Sequence, residues 1–123
     1  MFRQTPLILC SGDTRYLRSQ HEALKGLGKG ERSMCGWDED AITMAVEAGR
    51  DCLKGGSIDK VGGLTLASTT APYADLNNAV LVGSALQLPK TASAGDTGGS
   101  TRAGLSALIA ACQSSAEGDR LVI

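Results

Sequence analysis

Helix-like and strand-like segments alternate along the chain from residue 39 to its end, and this alternation limits the folds that the chain can adopt. The clearest helix is predicted from Glu39 to Lys54, because carboxylates open it and apolar residues follow at helical spacing. Gly55 and Gly56 end it with the left-handed backbone that a helix end favours. Strands that alternate with helices need crossover connections, so the sequence predicts an α/β fold with a mostly parallel sheet and covering helices.

The other segments complete the predicted order strand, helix, strand, helix, strand, helix, strand (βαβαβαβ). Strands are predicted at residues 6–10, 61–67, 92–95 and 120–123, and helices at 74–86 and 99–115. The third helix is almost free of charge after Arg102, which is typical of a helix in the middle of a larger structure. Because the sequence stops within the last strand, we expect a fragment that forms a single domain over residues 1–123.

The segment over residues 15–36 has no clear periodicity. Its positive charges and four glycines predict an irregular connection, although Leu17, His21 and Leu24 also stand at helical spacing. His21 has no cysteine or carboxylate cluster beside it, so we expect a surface histidine and not a metal ligand.

Composition excludes several classes of function. The net charge is −1 at pH 7, so no basic surface for nucleic acid is expected. No apolar run approaches the roughly 20 residues that span a bilayer, and residues 1–6 lack the pattern of a signal peptide. The 4 cysteines are widely spread, which predicts free thiols, no metal site and a cytoplasmic location. Cys52 and Cys112 are expected to pack in the core.

Glycine is abundant, at 16 residues, whereas aromatic residues make up only 3% of the chain. A chain of this kind packs backbone closely against backbone. Gly62 and Gly63 lie within a predicted strand, and no G-x-G-x-x-G pattern follows them. We therefore expect a close backbone approach at these glycines and not a phosphate-binding loop.

Three segments follow one another in a distinctive order. The predicted helix Asp38–Leu53 comes first, a strand with a Thr/Ser-rich turn follows from Ile58 to Tyr73, and the segment Asp-Thr-Gly-Gly-Ser-Thr-Arg-Ala-Gly-Leu-Ser-Ala-Leu comes last, at 96–108. In this order and spacing they resemble the thiolase-fold condensing enzymes, namely the 3-hydroxy-3-methylglutaryl-CoA synthases and the type III ketoacyl synthases. Such proteins contain two similar βαβαβ-type halves, and the resemblance implies that this chain holds the N-terminal half only.

The resemblance also implies where a catalytic centre would lie. The family's nucleophilic cysteine, at the N-terminus of a buried helix, matches Thr101, with Ser100 just before it. A hydroxyl at this position would need an adjacent general base. The glutamate that serves the synthases as general acid and base matches Thr69, or alternatively Thr70. The family's assisting histidine and asparagine belong to the second half, and the single histidine of this chain, His21, lies far upstream.

Simpler roles are open for the same residues and are favoured. Ser100 and Thr101 could cap the helix that follows them. Arg102 could bind a phosphate or carboxylate of an acyl-CoA, but an ion pair with Asp96 is preferred. The basic residues between 15 and 32 could contact the phosphates of coenzyme A, but a solvated loop is preferred. Trp37 is expected to act as a hydrophobic staple at the start of the first helix.

The resemblance implies an acyl-CoA-binding member of the condensing acyltransferase group, with a coenzyme A thioester as substrate and no covalently bound cofactor. Without the cysteine, this chain alone is expected to be inactive. The alternative is a non-catalytic scaffold subunit that pairs with a partner thiolase-fold chain. In both cases we expect a homo-oligomer or a complex with such a partner, because half a fold leaves apolar surface to be covered.

Overall fold

The computed structural model describes residues 15–17, 31–33 and 36–123. In chain order the elements are β1 (Arg15–Leu17), β2 (Glu31–Ser33), α1 (Ala41–Leu53), β3 (Val61–Ala67), α2 (Asn78–Ala85), β4 (Ser93–Thr97), α3 (Ala103–Gln113) and β5 (Asp119–Val122). The predicted alternation of strands and helices after residue 39 is confirmed. The predicted strand at 6–10 lies outside the described residues. His21, which belongs to the alternative helical spacing, also lies outside them.

A three-stranded sheet in the order β4-β3-β5 forms the centre of the described fold. Both neighbours run parallel to β3, with Gly63 opposite Ser93 and Leu64 opposite Leu121. The predicted mostly parallel sheet is thereby confirmed. Since parallel strands point the same way, their carboxyl ends, and the loops that follow them, lie at one edge of the sheet.

The segment predicted to be an irregular connection contains a small antiparallel ladder. Strands β1 and β2 pair there, with Arg15 opposite Ser33 and Leu17 opposite Glu31. The prediction therefore needs correction at these two strands, because pairing gives their backbone groups partners that an irregular segment lacks. The rest of the range up to residue 35 lies outside the described residues.

The hydrophobic core lies between one face of the sheet and the helices α1 and α2. Leu64 and Leu66, two residues apart on β3, point to the same face, where they pack with residues of both helices and of β5. The buried members of this cluster are Ala45, Val46, Val61, Leu64, Leu66, Ala79, Val82, Leu86 and Leu121. Cys52 packs against the cluster, and burial raises the pKa of its thiol, so it is a poor nucleophile.

Helix α3 contacts the sheet through small residues that are separate from this core. Ala103 and Ala107 are its buried residues, whereas Leu105, Leu108 and Ile109 are exposed. Cys112 is exposed as well, so its predicted place in the core is wrong: it lies on the side of the helix that faces away from the two buried alanines. The described part of the chain leaves this apolar side of α3 uncovered.

Local sequence explains how α1 begins and ends. The side chain of Asp40 accepts hydrogen bonds from the backbone N–H groups of Ile42 and Thr43. In turn, the hydroxyl oxygen of Thr43 accepts a hydrogen bond from the backbone N–H of Asp40. Gly55 adopts the left-handed backbone (φ +78°) just after the last turn. The predicted helix is confirmed, but the hydrophobic staple is wrong, because Trp37 is 97% exposed and does not pack on the helix.

Gly62, near the start of β3, does allow a close backbone approach, whereas a Cβ on Gly63 would meet the side chains of Arg120 and Ser93. A Cβ on Gly62 would collide with the carbonyl oxygen of Glu117 and would lie 3.1 Å from the Cα of Gly118. Gly118 itself has a φ of +89°, and a Cβ there would lie 2.8 Å from the Cα of Gly62. The turn that leads into β5 therefore lies directly against the start of β3, and the predicted close backbone approach is confirmed at Gly62.

We expect Gly62→Ala to lower the free energy of unfolding by about 2 kcal/mol or more, because the added methyl meets rigid backbone. The matched control is Gly104→Ala in α3, where a Cβ would meet nothing within 4 Å. This control should raise stability by up to about 1 kcal/mol through its higher helix propensity. Urea unfolding followed by circular dichroism measures both, and equal effects of the two substitutions would contradict the proposed close approach.

Candidate functional site

A cleft of about 380 Å³ opens at the edge of the sheet where β3 and β4 end. This edge of a parallel sheet is where α/β proteins commonly bind ligands. The cleft is lined by the end of β3, by the loop that leads from β3 to α2, and by the end of β4 with the turn that follows it. Its lining includes Leu66, Thr69, Tyr73, Leu76, Asp96 and Gly99.

The loops that follow β3 and β4 run side by side at the base of this cleft. The backbone N–H of Ser68 donates to the carbonyl of Thr97 at 3.0 Å, which continues the strand pairing by one residue. A Cβ at Gly98 would lie 3.0 Å from the carbonyl oxygen of Ser68, so the glycine permits this approach. Gly99 then turns the chain with a φ of +76° towards α3.

Asp96 joins the end of β4 to the start of α2. One carboxylate oxygen accepts from the backbone N–H of Ala79 at 2.6 Å, and the other accepts from the backbone N–H of Asn78 at 2.7 Å. The second oxygen also accepts from Nδ2 of Asn78 at 2.8 Å. The free N–H groups at a helix start make this a favourable place for a carboxylate. Partial burial tends to raise the pKa of Asp96, but these hydrogen bonds outweigh it and hold the pKa below its usual value.

This contact explains why α2 begins at Asn78, four residues later than predicted. The side chain of Asn77 caps the helix by accepting from the N–H of Val80 at 3.2 Å, while Asp96 accepts from the N–H groups of Asn78 and Ala79. Leu76, which was expected on the apolar side of the helix, precedes it and is 58% exposed at the cleft. The tandem asparagines were the sequence signal for this start, since asparagine favours N-cap positions.

The site residues predicted from the sequence approach the same edge of the sheet, but only some line the cleft. Thr69 lines it and is exposed, and its neighbour Thr70 is exposed. Ser100 and Thr101 follow the Gly98–Gly99 turn, beyond the residues that line the cleft. The loops after β3 and β4 thus bring Thr69 and Thr101 to the same end of the sheet.

The predicted capping and ion-pair contacts at α3 differ from those observed. The hydroxyl of Ser100 accepts from the backbone N–H of Arg102 at 3.2 Å, and Arg102 itself is the N-cap residue. Helix α3 therefore begins at Ala103, because the left-handed Gly99 and this small turn precede it. The predicted ion pair between Arg102 and Asp96 is wrong, since the Asp96 carboxylate is bound to the start of α2.

Two negative findings apply to the described residues. They contain no group of three or more histidine, cysteine or acidic side chains that could hold a metal ion. None of their helices has the length and apolar character required to cross a bilayer.

Solved structures that are similar to this fold include two condensing enzymes. The 3-oxoacyl-(acyl carrier protein) synthase III (FabH) of Xanthomonas oryzae aligns with a TM-score of 0.62 and 24% identity, over 68% of this chain and 25% of its own. A variant of Xanthomonas campestris OleA, solved with bound lauric acid and lauroyl-CoA, gives the same TM-score and coverage at 22% identity. The chain therefore has the thiolase-type fold of the condensing enzymes.

Within this class, the sequence is similar to the hydroxymethylglutaryl-CoA synthases, and the predicted resemblance is confirmed. The synthase of Archaeoglobus fulgidus is 43% identical over 63 residues, which are 50% of this chain and 18% of that protein. The chain thus spans roughly a quarter or less of the proteins that it matches. No family model matches the chain.

Asp96 should make the stability of this fold depend on pH. Because its pKa is lower in the folded chain than the unfolded value of about 3.9, its contribution is complete above that value and is lost as the pH falls through the folded pKa. We expect Asp96→Asn to cost about 1 kcal/mol near pH 7, and this cost to shrink as the pH falls below about 3.9.

The matched control is Asp75→Asn, which removes an exposed carboxylate from the loop before α2 without breaking the contacts of Asp96. Urea unfolding at pH 7 and in acid gives the two free energies for each variant. A pH-independent difference between Asp96→Asn and the unaltered chain would contradict this role of the carboxylate.

Proposed function

We propose that the protein binds an acyl-coenzyme A thioester in the cleft, as an incomplete member of the condensing acyltransferase group. The observation that carries the proposal is the position of the cleft, between the loop after β3 and the Gly98–Gly99 turn before α3. Support comes from the similarity to hydroxymethylglutaryl-CoA synthases and from the related fold that was solved with lauroyl-CoA. A cytoplasmic location is part of the proposal, because the free thiols Cys52 and Cys112 suit a reducing compartment.

The proposed activity of this chain is binding without a covalent step. A hydroxyl nucleophile at Ser100 or Thr101 needs a base that can take its proton. Among the described residues, Asp96 is the one carboxylate that lines the cleft. Its oxygens already accept three hydrogen bonds, and its lowered pKa makes it a weak base. Arg102, exposed at the start of α3, is proposed to contact a phosphate or carboxylate of the ligand.

Calorimetric titration with acetyl-CoA tests the binding. We expect heat of binding for the unaltered chain and a loss of at least about tenfold in affinity for Thr69→Trp, because the indole would fill the cleft lining. The matched control is Asp59→Trp, an exposed position before β3 and so at the other end of that strand. Equal affinities of the two tryptophan variants would place any binding elsewhere.

Intact mass after the same incubation separates binding from acyl transfer. The unaltered chain should carry no acyl adduct, whereas Thr101→Cys should acquire one, because a thiol near a helix N-terminus ionises more readily than a hydroxyl. An adduct on Ser100 or Thr101 of the unaltered chain would contradict the proposed non-covalent role.

The alternative function is a non-catalytic scaffold subunit that pairs with a second copy or with a partner thiolase-fold chain. The observation that favours it is the exposed apolar side of α3 at Leu105, Leu108 and Ile109, together with Val80 and Leu81 of α2. Apolar surface of this kind commonly marks a protein interface.

We expect light scattering to show a homo-oligomer at micromolar concentration, and Leu108→Glu to shift the chain towards the monomer by placing a charge in the contact. The control Ser106→Glu adds the same charge at another exposed position of α3. A compact, cooperatively folded monomer for the unaltered chain at all concentrations would count against the proposed association.

A further inference from the structure

Asn78 is the one buried polar residue among those that the structure describes, at 2% exposure. Its side-chain oxygen accepts from the backbone N–H of Tyr73 at 3.2 Å. The two hydrogens of its Nδ2 group are shared among three acceptors, namely the carbonyl oxygens of Tyr73 at 2.9 Å and Leu76 at 3.2 Å and the carboxylate of Asp96 at 2.8 Å. A buried amide with this many bonds costs little to bury and is strongly oriented.

The loop held by these bonds forms one wall of the cleft. Tyr73, Ala74 and Leu76 line the cleft, yet the side chains of Tyr73 and Leu76 are 48% and 58% exposed. Packing therefore does little to hold the wall in place. Within the described fold, no backbone–backbone hydrogen bond involves residues 71–76 either. The bonds from Asn78 are the contacts that tie the backbone of this wall to the rest of the fold.

Asp96 helps to orient the Asn78 amide. Its carboxylate binds both the side chain and the backbone N–H of Asn78, and it stands on β4 one residue before Thr97, which also lines the cleft. The chain of contacts runs from β4 through Asp96 and Asn78 to the opposite wall. The two walls of the cleft are thus joined through one pair of polar side chains.

We propose that Asn78 is a positioning residue, which holds the wall at Tyr73 and Leu76 in the shape that admits a ligand, with Asp96 holding Asn78 in turn. The proposal deepens the proposed function, and it depends on that function only for the identity of the ligand. The geometry of the wall stands independently of it.

Asn78→Ala and Asn77→Ala are a matched pair for the test. Both substitutions remove an asparagine from the start of α2, and Asn77 also makes two bonds, to the N–H of Val80 and the carbonyl of Ala94. Neither of these bonds reaches the loop over residues 71–76. A loss of helix stability alone would affect the two variants alike, whereas loss of the wall should follow Asn78→Ala only.

Hydrogen exchange of the full chain, read at the Tyr73 amide and across β3, measures the wall directly. We expect Asn78→Ala to speed exchange at Tyr73 by about tenfold or more relative to Asn77→Ala, with β3 affected equally in the two variants. If Asn78→Ala does not fold, Asp96→Asn should show the same pattern more weakly, because it breaks one of the bonds that orient the amide. Equal exchange at Tyr73 in both asparagine variants, or a rise at Tyr73 that merely matches β3, would overturn the proposal.

Titration with acetyl-CoA separates this proposal from the proposed function. If the unaltered chain binds, Asn78→Ala should weaken binding by about tenfold and Asn77→Ala by less than about threefold. Equal weakening in the two variants would overturn the positioning role at the ligand. If the unaltered chain does not bind acetyl-CoA, the choice of ligand is wrong, and the exchange measurement still decides whether Asn78 holds the wall.

Discussion

Parallel pairing of β3 with both of its neighbours is the constraint on which the rest of the described structure depends. It places the ends of β3 and β4 at one edge of the sheet, so the loops that follow them must share that edge. Helices α1 and α2 then cover one face of the sheet, while α3 lies apart from that core. The cleft is a direct result, because it is the space between those two loops.

Close backbone packing lets a short sheet hold this arrangement. Gly62 and Gly118 allow the turn before β5 to cross over β3, and Gly98 lets the two cleft loops run in contact. A methyl group at Gly62 would require the backbone to move. Glycine is needed at these three positions because a side chain there would meet backbone atoms of a neighbouring segment.

Polar contacts, in contrast, shape the cleft itself. Asp96 and Asn78 join β4, the start of α2 and the exposed loop at Tyr73. The chain thus has a shaped cleft at the carboxyl edge of the sheet, and threonines occupy the positions that the resemblance assigns to cysteine and glutamate. In the function that we propose, the chain binds a ligand but does not react with it. The walls of the cleft are present, whereas other residues replace the groups that would react with the ligand.

The sequence by itself determined the elements whose signals are local. Helix α1 was predicted to within two residues at its start and one at its end, because its cap, its apolar stripe and its terminal glycine lie within one stretch of chain. Strand β3 and the order of the segments followed from the same kind of pattern, as did the family resemblance.

Tertiary structure alone decided where α2 begins, since the carboxylate that binds its first N–H groups lies 18 residues away. It also decided that Asp96 binds the start of α2 and not Arg102, and that Trp37 and Cys112 are exposed. These outcomes depend on which side chains are in contact in the folded chain. The spacing of residues along the sequence does not reveal those contacts.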